Sequence, residues 1–314
     1  MRTLFFGTPS FAVPSLDALA DTTEVVGVVC QPDKPTGRGL ALTAPPVKVR
    51  AQERGLAVVQ ATKLRTGEFA AWVKAQEAEL ALVVAYGRIL PRGVLDATAK
   101  GFVNVHASLL PKYRGAAPIT WAVVNGETET GITLMLLDEG MDTGDMLDVA
   151  RTPIGPDETA GEVSERLSRL GAELVRQRLG AFAKGALTRI PQNGADASVA
   201  PPLEKKDGLL DWSASTARIH DRVRGMSPWP GAFSHLRGKT VKVHATRCTG
   251  LTREASALPG TVIVADKSRV LVACGADGRE TLDLLRVQLE GKKPVSASEW
   301  VSGRGVREGD RLES

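Results

Sequence analysis

Over the first half of the chain, short unbroken apolar runs alternate with stretches whose apolar residues fall at helical spacing. The runs Thr3–Phe6, Val25–Cys30, Leu80–Ala85, Phe102–Val105, Ile132–Leu137 and Asp145–Ala150 predict strands. Leu80-Ala81-Leu82-Val83-Val84 has no polar residue at alternate positions, as expected of a strand covered on both faces. Helices are predicted near Pro14–Ala20, Val47–Arg54, Glu68–Gln76 and Ile119–Val124. A longer one runs from about Ala160 to Phe182, where Leu167, Leu170, Leu174 and Leu179 make an apolar stripe. Strands alternating with helices predict an α/β domain: an open, mainly parallel, Rossmann-like sheet covered by helices.

The pattern changes near residue 188. Residues 188–208 carry Pro191, Gly194, Pro201, Pro202 and Gly208 with few large apolar side chains, the composition of a linker. Beyond it one helix reaches about Arg224, and Pro228-Trp229-Pro230-Gly231 prevents its continuation. Closely spaced strands follow at Ala232–Leu236, Thr240–Ala245, Gly260–Ala265, Val270–Ala273 and Thr281–Val287, which predicts a small β-barrel. The expected organisation is therefore a first domain over 1–187, a linker over 188–208 and a barrel domain over 209–314.

Composition excludes several classes. With 314 residues and 43% apolar content the chain can bury the cores of two domains. The longest strong apolar run, Leu80–Ala85, is far below the roughly 20 residues of a membrane span. The opening Met1–Pro9 breaks at Gly7-Thr8-Pro9 before a signal-peptide core develops, so a cytoplasmic protein is expected. Cys30, Cys248 and Cys274 are odd in number and lack a C-x-x-C pair, which argues for reduced thiols and against a disulfide framework or zinc. The net charge of +4 is uneven. From Leu203 onward there are 19 Lys and Arg against 14 Asp and Glu, a balance of +5, whereas residues 1–202 hold 21 against 22. A basic second domain suits a polyanion, although ordinary surface solvation gives the same balance.

Gly7-Thr8-Pro9 leaves the first strand, but the G-x-G-x-x-G spacing is missing and Pro9 lacks an N–H, so a structural turn is expected rather than a dinucleotide loop. More telling is Asn104-Val105-His106. Alternate residues of a strand share a face, so Asn104 and His106 lie side by side, about 6.5 Å apart. Two large polar groups in a sheet buried on both faces need partners or a ligand, and open α/β sheets bind ligands at the carboxyl ends of their strands. After the strand Ile132–Leu137 comes the acidic turn Asp138-Glu139-Gly140-Met141-Asp142-Thr143-Gly144-Asp145. It could hold a divalent cation, present solvated acids, or place a carboxylate against a histidine.

Taken together, Asn-Val-His at 104–106, Ser108-Leu109-Leu110-Pro111, Arg114-Gly115, Pro118-Ile119, and Thr130-Gly131 through Asp142-Thr143-Gly144-Asp145 resemble the signature of the folate-dependent formyltransferases. Phe6-Gly7-Thr8-Pro9, the loop Gln31–Gly39, Pro46-Val47-Lys48, Pro228-Trp229-Pro230 and Gly291-Lys292-Lys293 are similar to the branch that formylates methionyl-tRNA, and the likeness runs over essentially the whole chain. The resemblance implies that Asn104, His106 and Asp142 are the catalytic trio. It assigns folate binding to Ser108, Leu109, Leu110 and Pro111, and pterin contact to Tyr86 and Gly87 with Ile89 and Leu90. It places tRNA contacts at Arg38 and Lys205, and makes the C-terminal barrel OB-like. Where relatives carry basic residues beyond Gly37-Arg38-Gly39, this chain has Leu40-Ala41-Leu42.

The implied partners are methionyl-initiator tRNA and 10-formyltetrahydrofolate, with no metal, no membrane and a monomeric enzyme. In the implied chemistry the amine attacks the formyl carbon. Asn104 and protonated His106 then stabilise the oxyanion, and Asp142 takes up the proton the amine sheds. Formylation of a small nucleotide or nucleotide-sugar amine, and a non-catalytic RNA-binding protein, remain as alternatives.

Overall fold

Unbroken apolar runs become buried parallel strands. The computed structural model describes residues 1–36 and 41–314. Its first sheet has seven strands in the order Met146–Pro153, Glu129–Leu136, Phe102–His106, Leu80–Val84, Arg2–Gly7, Glu24–Val29 and Val58–Val59. The last five of these run parallel. Glu129–Leu136 pairs antiparallel with Phe102–His106. Every residue of Leu80–Val84 and Phe102–His106 is buried, as strands with helical crossovers on both faces require. Phe6 anchors one face, meeting Tyr86 edge-on at 5.5 Å and Phe102 at 5.3 Å. The edge strand Val58–Val59, two residues long, is too short to leave a periodic signal.

Register places the chemistry. Gly7 pairs with Val84, Phe6 with Val29 and Val83 with Asn104. The segments leaving these strands, at Thr8, Cys30, Ala85 and Ala107, therefore emerge along one edge, the carboxyl edge at which open parallel sheets take ligands.

The Pro- and Gly-rich stretch expected to be a linker is, as far as Pro201, paired into the first of two compact units. That unit comprises Met1–Pro118, Glu129–Thr152 and Ser164–Pro201. Ile190 and Met146 exchange backbone hydrogen bonds of 2.9 Å, and Val199–Ala200 forms a parallel pair with Arg114–Gly115. Absence of periodicity in a sequence reports absence of regular structure; it carries no information on whether the backbone finds partners elsewhere. Farther upstream, Lys34–Thr36 pairs antiparallel with Ala41–Thr43, two short strands that satisfy their backbone groups against each other. Arg38 lies outside the described residues.

The second unit comprises Ile119–Thr128, Pro153–Val163 and Pro202–Ser314. Its antiparallel sheet runs Val262–Ala265, Val270–Cys274, Glu280–Leu289, Lys239–Thr252, Ala232–Leu236 and Leu312–Glu313, with Val295–Ser296 beside Glu280–Leu289. The two edge strands meet: the Val262 N–H bonds to Asp310 O and the Leu312 N–H to Gly260 O, both at 2.8 Å, curling the sheet into a barrel. Lys239–Thr252 is far longer than the Thr240–Ala245 expected from alternation, because register shifts after Val243, Ala245 and Cys248 break the period of two.

The barrel core holds Trp212, Val241, Val270, Leu282 and Leu284, and it takes in Val124 from the helix Pro118–Val124. A Cβ on Gly225 would lie 2.5 Å from Val124 Cγ2, so the small residue is what lets the two helices close. The buried Arg224 pairs with Asp221 at 2.8 Å and donates to Gly155 O and Glu158 O, which fastens residues 155–158 to the helix Thr216–Gly225.

Trp212 is almost wholly buried and donates from Nε1 to Ser234 Oγ at 3.0 Å. Trp212→Ala removes that bond and leaves a large void, so it should lower the stability of this unit by about 3–5 kcal/mol. Chemical denaturation followed by near-ultraviolet circular dichroism checks this, and a loss below about 1 kcal/mol would show that the core collapses around the gap.

Candidate active site

Asn104 and His106 occupy one face at the end of a buried strand, and both are buried. His106 Nε2 lies 2.9 Å from Tyr113 O. A carbonyl oxygen can only accept, so Nε2 carries a proton and Nδ1 is the nitrogen left over. Nδ1 faces Asp142 Oδ2 at 3.6 Å, ion-pair range but long for a direct hydrogen bond. The same Oδ2 accepts the Gly115 N–H at 2.8 Å, which fixes the carboxylate. Among the described residues, no hydrogen bond is formed by the Asn104 carboxamide. An amide in this position, left unpaired in the folded chain, has its donors available to a bound molecule.

The antiparallel neighbour makes this arrangement less direct than the sequence suggests. The Leu137 N–H bonds to Phe102 O, so the strand Glu129–Leu136 ends at the opposite end of the His106 strand. The acidic turn has to return along the sheet before Asp142 reaches Nδ1. It does so with Asp142 in the left-handed region at φ 55°, and Tyr113, which holds Nε2, has φ 59°. Ala85 adds a third such residue, at φ 47°. Three strained non-glycine residues at one edge persist only where their surroundings over-determine them. For Tyr113 and Gly115 those surroundings are residues 198–200. Tyr113 N–H donates to Ser198 Oγ at 2.9 Å, and a Cβ on Gly115, at φ 121°, would stand 2.7 Å from Ala200 O.

The segment from Ser108 to Pro111 is pinned from below. Ser108 Oγ donates to Lys112 O at 2.6 Å, while Thr133 Oγ1 donates to Ser108 O at 2.7 Å and accepts the Leu110 N–H at 3.2 Å. Leu110 is buried, Leu109 and Pro111 are half-buried, and the Leu110–Pro111 peptide is cis. The ring of Tyr86 sits in the core against Phe6 with its hydroxyl buried, so it offers no exposed ring surface. Only its backbone reaches the edge, where Tyr86 O accepts from Thr8 Oγ1 and Gln31 Nε2. Gly87, at φ 77°, is close-packed against Gln31; Ile89 is exposed and Leu90 buried. Lys205 belongs to the second unit and is exposed at the start of the short helical turn Lys205–Gly208.

The acidic turn splits its carboxylates. Asp138 caps its own turn, accepting from the Gly140 N–H and the Thr143 hydroxyl, while Asp142 faces His106. Among the described residues, no group of three or more His, Cys, Asp or Glu side chains could hold a metal ion. Residues invisible to sequence reasoning complete the site: Tyr113 through a carbonyl, Thr133 and Gln31 through loop bonds, and Gln192 and Ser198 from the supposed linker. A backbone carbonyl leaves no trace in residue identity, and the other four act through contacts remote in sequence.

A buried amide donor and a proton-bearing imidazole beside a carboxylate thus lie together at the carboxyl edge of a parallel sheet, the place where open α/β folds take ligands. A family model described as formyl transferase matches residues 1–179, and one described as formyl transferase, C-terminal domain, matches residues 202–305. The chain is 54% identical over 309 residues to the methionyl-tRNA formyltransferase of Sorangium cellulosum, covering 98% of each chain. It is 45% identical over 310 residues to that of Myxococcus xanthus, covering 99% of this chain and 97% of the other. Among solved structures, the N-formyltransferase from Helicobacter canadensis in complex with folinic acid and dTDP-3-aminofucose shares the fold. Its TM-score is 0.67 at 16% identity, over 90% of this chain and 99% of that one. HypX from Aquifex aeolicus in complex with tetrahydrofolic acid gives a TM-score of 0.61 at 18% identity, over 98% and 48%. The chain belongs to the formyl transferase family, and within it to the methionyl-tRNA formyltransferases.

Cysteine chemistry is a poor alternative here. Burial pushes the Cys30 thiol up to about 11 and that of Cys274 to about 12, so neither supplies thiolate near neutral pH. A thiol-specific reagent at pH 7–8 should modify the exposed Cys248 and spare the other two until the chain is unfolded. Modification of Cys30 in the native protein at a rate like that of Cys248 would contradict its burial.

Proposed function

We propose that this protein transfers the formyl group of 10-formyltetrahydrofolate to the α-amine of methionyl-initiator tRNA. The observation that carries the reading is the Asn104 carboxamide, buried and unpaired among the described residues, beside an imidazole whose free nitrogen faces a carboxylate. The names of relatives 44–54% identical over nearly their whole length support the choice of acceptor. A second unit with surplus positive charge suits a nucleic-acid substrate.

In this reading the amine nitrogen attacks the formyl carbon on N10, and the carbonyl electrons move onto oxygen. Asn104 donates to that oxygen. His106, as imidazolium, keeps its Nε2 proton on Tyr113 O and turns its Nδ1–H to the same oxygen. Asp142 offsets the imidazolium charge and accepts, through water, the proton released by the amine. That proton, delivered to N10, lets the carbon–nitrogen bond break as the carbonyl reforms, and tetrahydrofolate leaves. Ser108, Leu109, Leu110 and Pro111 line the folate site, with the backbone of Tyr86 and Gly87 and the side chain of Ile89 beside it. Arg38 and Lys205 contact the tRNA.

Asn104→Ala and His106→Ala should each lower kcat by about 10²–10³, the scale for loss of one oxyanion donor, with folate affinity retained. Asp142→Asn keeps the size and the acceptor for Gly115 but loses charge and basicity, so kcat should fall well beyond any change in KM. Near-parental turnover in any of the three removes that residue from the mechanism.

The acceptor is tested by assaying folate-dependent formylation of charged initiator tRNA beside charged elongator methionine tRNA. The expected result is strong preference for the initiator. Equal rates on both, or transfer only to a small nucleotide-linked amine, would reject the proposed substrate.

A further inference from the structure

The segment between the two family-matched regions, residues 180–201, carries more of the candidate site than its composition suggests. Gln192 is its centre. Gln192 Nε2 donates to Asp142 O and to Gly144 O, both at 2.8 Å, and Gln192 Oε1 accepts from Arg114 Nε at 3.0 Å and from Arg114 Nη2 at 2.8 Å. Both ends of one carboxamide are thus committed: two donors to the acidic turn and one acceptor to the loop that carries Tyr113. Six residues on, Ser198 Oγ accepts the Tyr113 N–H at 2.9 Å and Ser198 O accepts the Arg114 N–H at 2.8 Å. Ala200 O then takes the Ala116 N–H at 2.9 Å.

We propose that residues 192–200 form a strap that sets the distance between His106 and Asp142, with Gln192 as its positioning residue; the proposal rests on the catalytic reading of that pair. Asp142 and Tyr113 approach the imidazole from its two nitrogens, and each sits in a left-handed conformation that a free loop would relax. Gln192 ties the two approaches together, its amide reaching the backbone of the acidic turn and its oxygen the guanidinium of Arg114 beside Tyr113. Its chemistry is restrictive. Two carbonyl oxygens require donors and a guanidinium requires an acceptor, so among side chains of this length only a carboxamide serves both. Glutamate keeps the arginine pair but sets a carboxylate against two carbonyls, and alanine abandons both.

The test is made in the full chain with Gln192→Ala, Gln192→Glu and the near-isosteric Gln192→Met, alongside Ser198→Ala. Steady-state formyl transfer and the ¹⁵N resonances of the His106 imidazole are measured. The strap requires kcat to fall by about 10–100-fold in all three Gln192 variants with KM for either substrate changed less than about twofold, the signature of a small misplacement at the reacting centre. His106 resonances should move in each, and Ser198→Ala should show a smaller effect of the same kind. Parental kcat with unmoved His106 signals overturns the proposal. So does a defect confined to KM, or loss of folding in all the Gln192 variants, since either would make the residue a binding or stability element. The imidazole resonances need no acceptor substrate. Parental protein that fails to formylate methionyl-tRNA therefore rejects the substrate assignment, while the His106 response still decides the strap.

Discussion

One hydrogen bond constrains everything around it: the one from His106 Nε2 to the carbonyl of Tyr113. Because that oxygen cannot donate, the bond selects the protonated nitrogen and leaves Nδ1 as the atom free for chemistry. It also demands that a backbone carbonyl be brought to a buried strand end, and the chain achieves this by holding Tyr113 at positive φ. A left-handed tyrosine has no local reason to stay, so the conformation depends on Ser198 and on the Arg114–Gly115 pairing with Val199–Ala200. The imidazole is therefore positioned by a segment nearly a hundred residues away in sequence.

The carboxylate partner obeys a similar logic. An antiparallel strand next to the His106 strand sends the chain away from the site, and the acidic turn must bring it back. Asp142 arrives with one oxygen tied to the Gly115 N–H and its own carbonyl held by Gln192, so both neighbours of His106 rest on the same short stretch. Asn104 differs. It is placed by strand register alone and keeps its amide unpaired among the described residues, with its donors open to a ligand that offers an acceptor.

The barrel unit shows another division of labour. It draws Val124 into its core and fastens residues 155–158 through Arg224 and His220, whose Nε2 donates to Pro156 O at 3.1 Å. Two segments that precede it in sequence are thus parts of its packing. No helix among the described residues is long and apolar enough to cross a membrane.

The sequence by itself determined six of the seven strands of the first sheet and the shared face of Asn104 and His106. Both follow from local rules: apolar runs where both faces are covered, and a side-chain period of two. It also carried the motif order that marks the family. Tertiary structure alone decided that Tyr86 turns its ring into the core, and that the strand Lys239–Thr252 continues through three register shifts. It alone decided that the stretch around Gln192 packs against the loops that carry Tyr113 and Asp142. These outcomes depend on which backbone groups lie unpaired nearby once the sheet has formed. A pattern of residue types along one chain contains no record of that, because the partners are set by register and loop return rather than by composition.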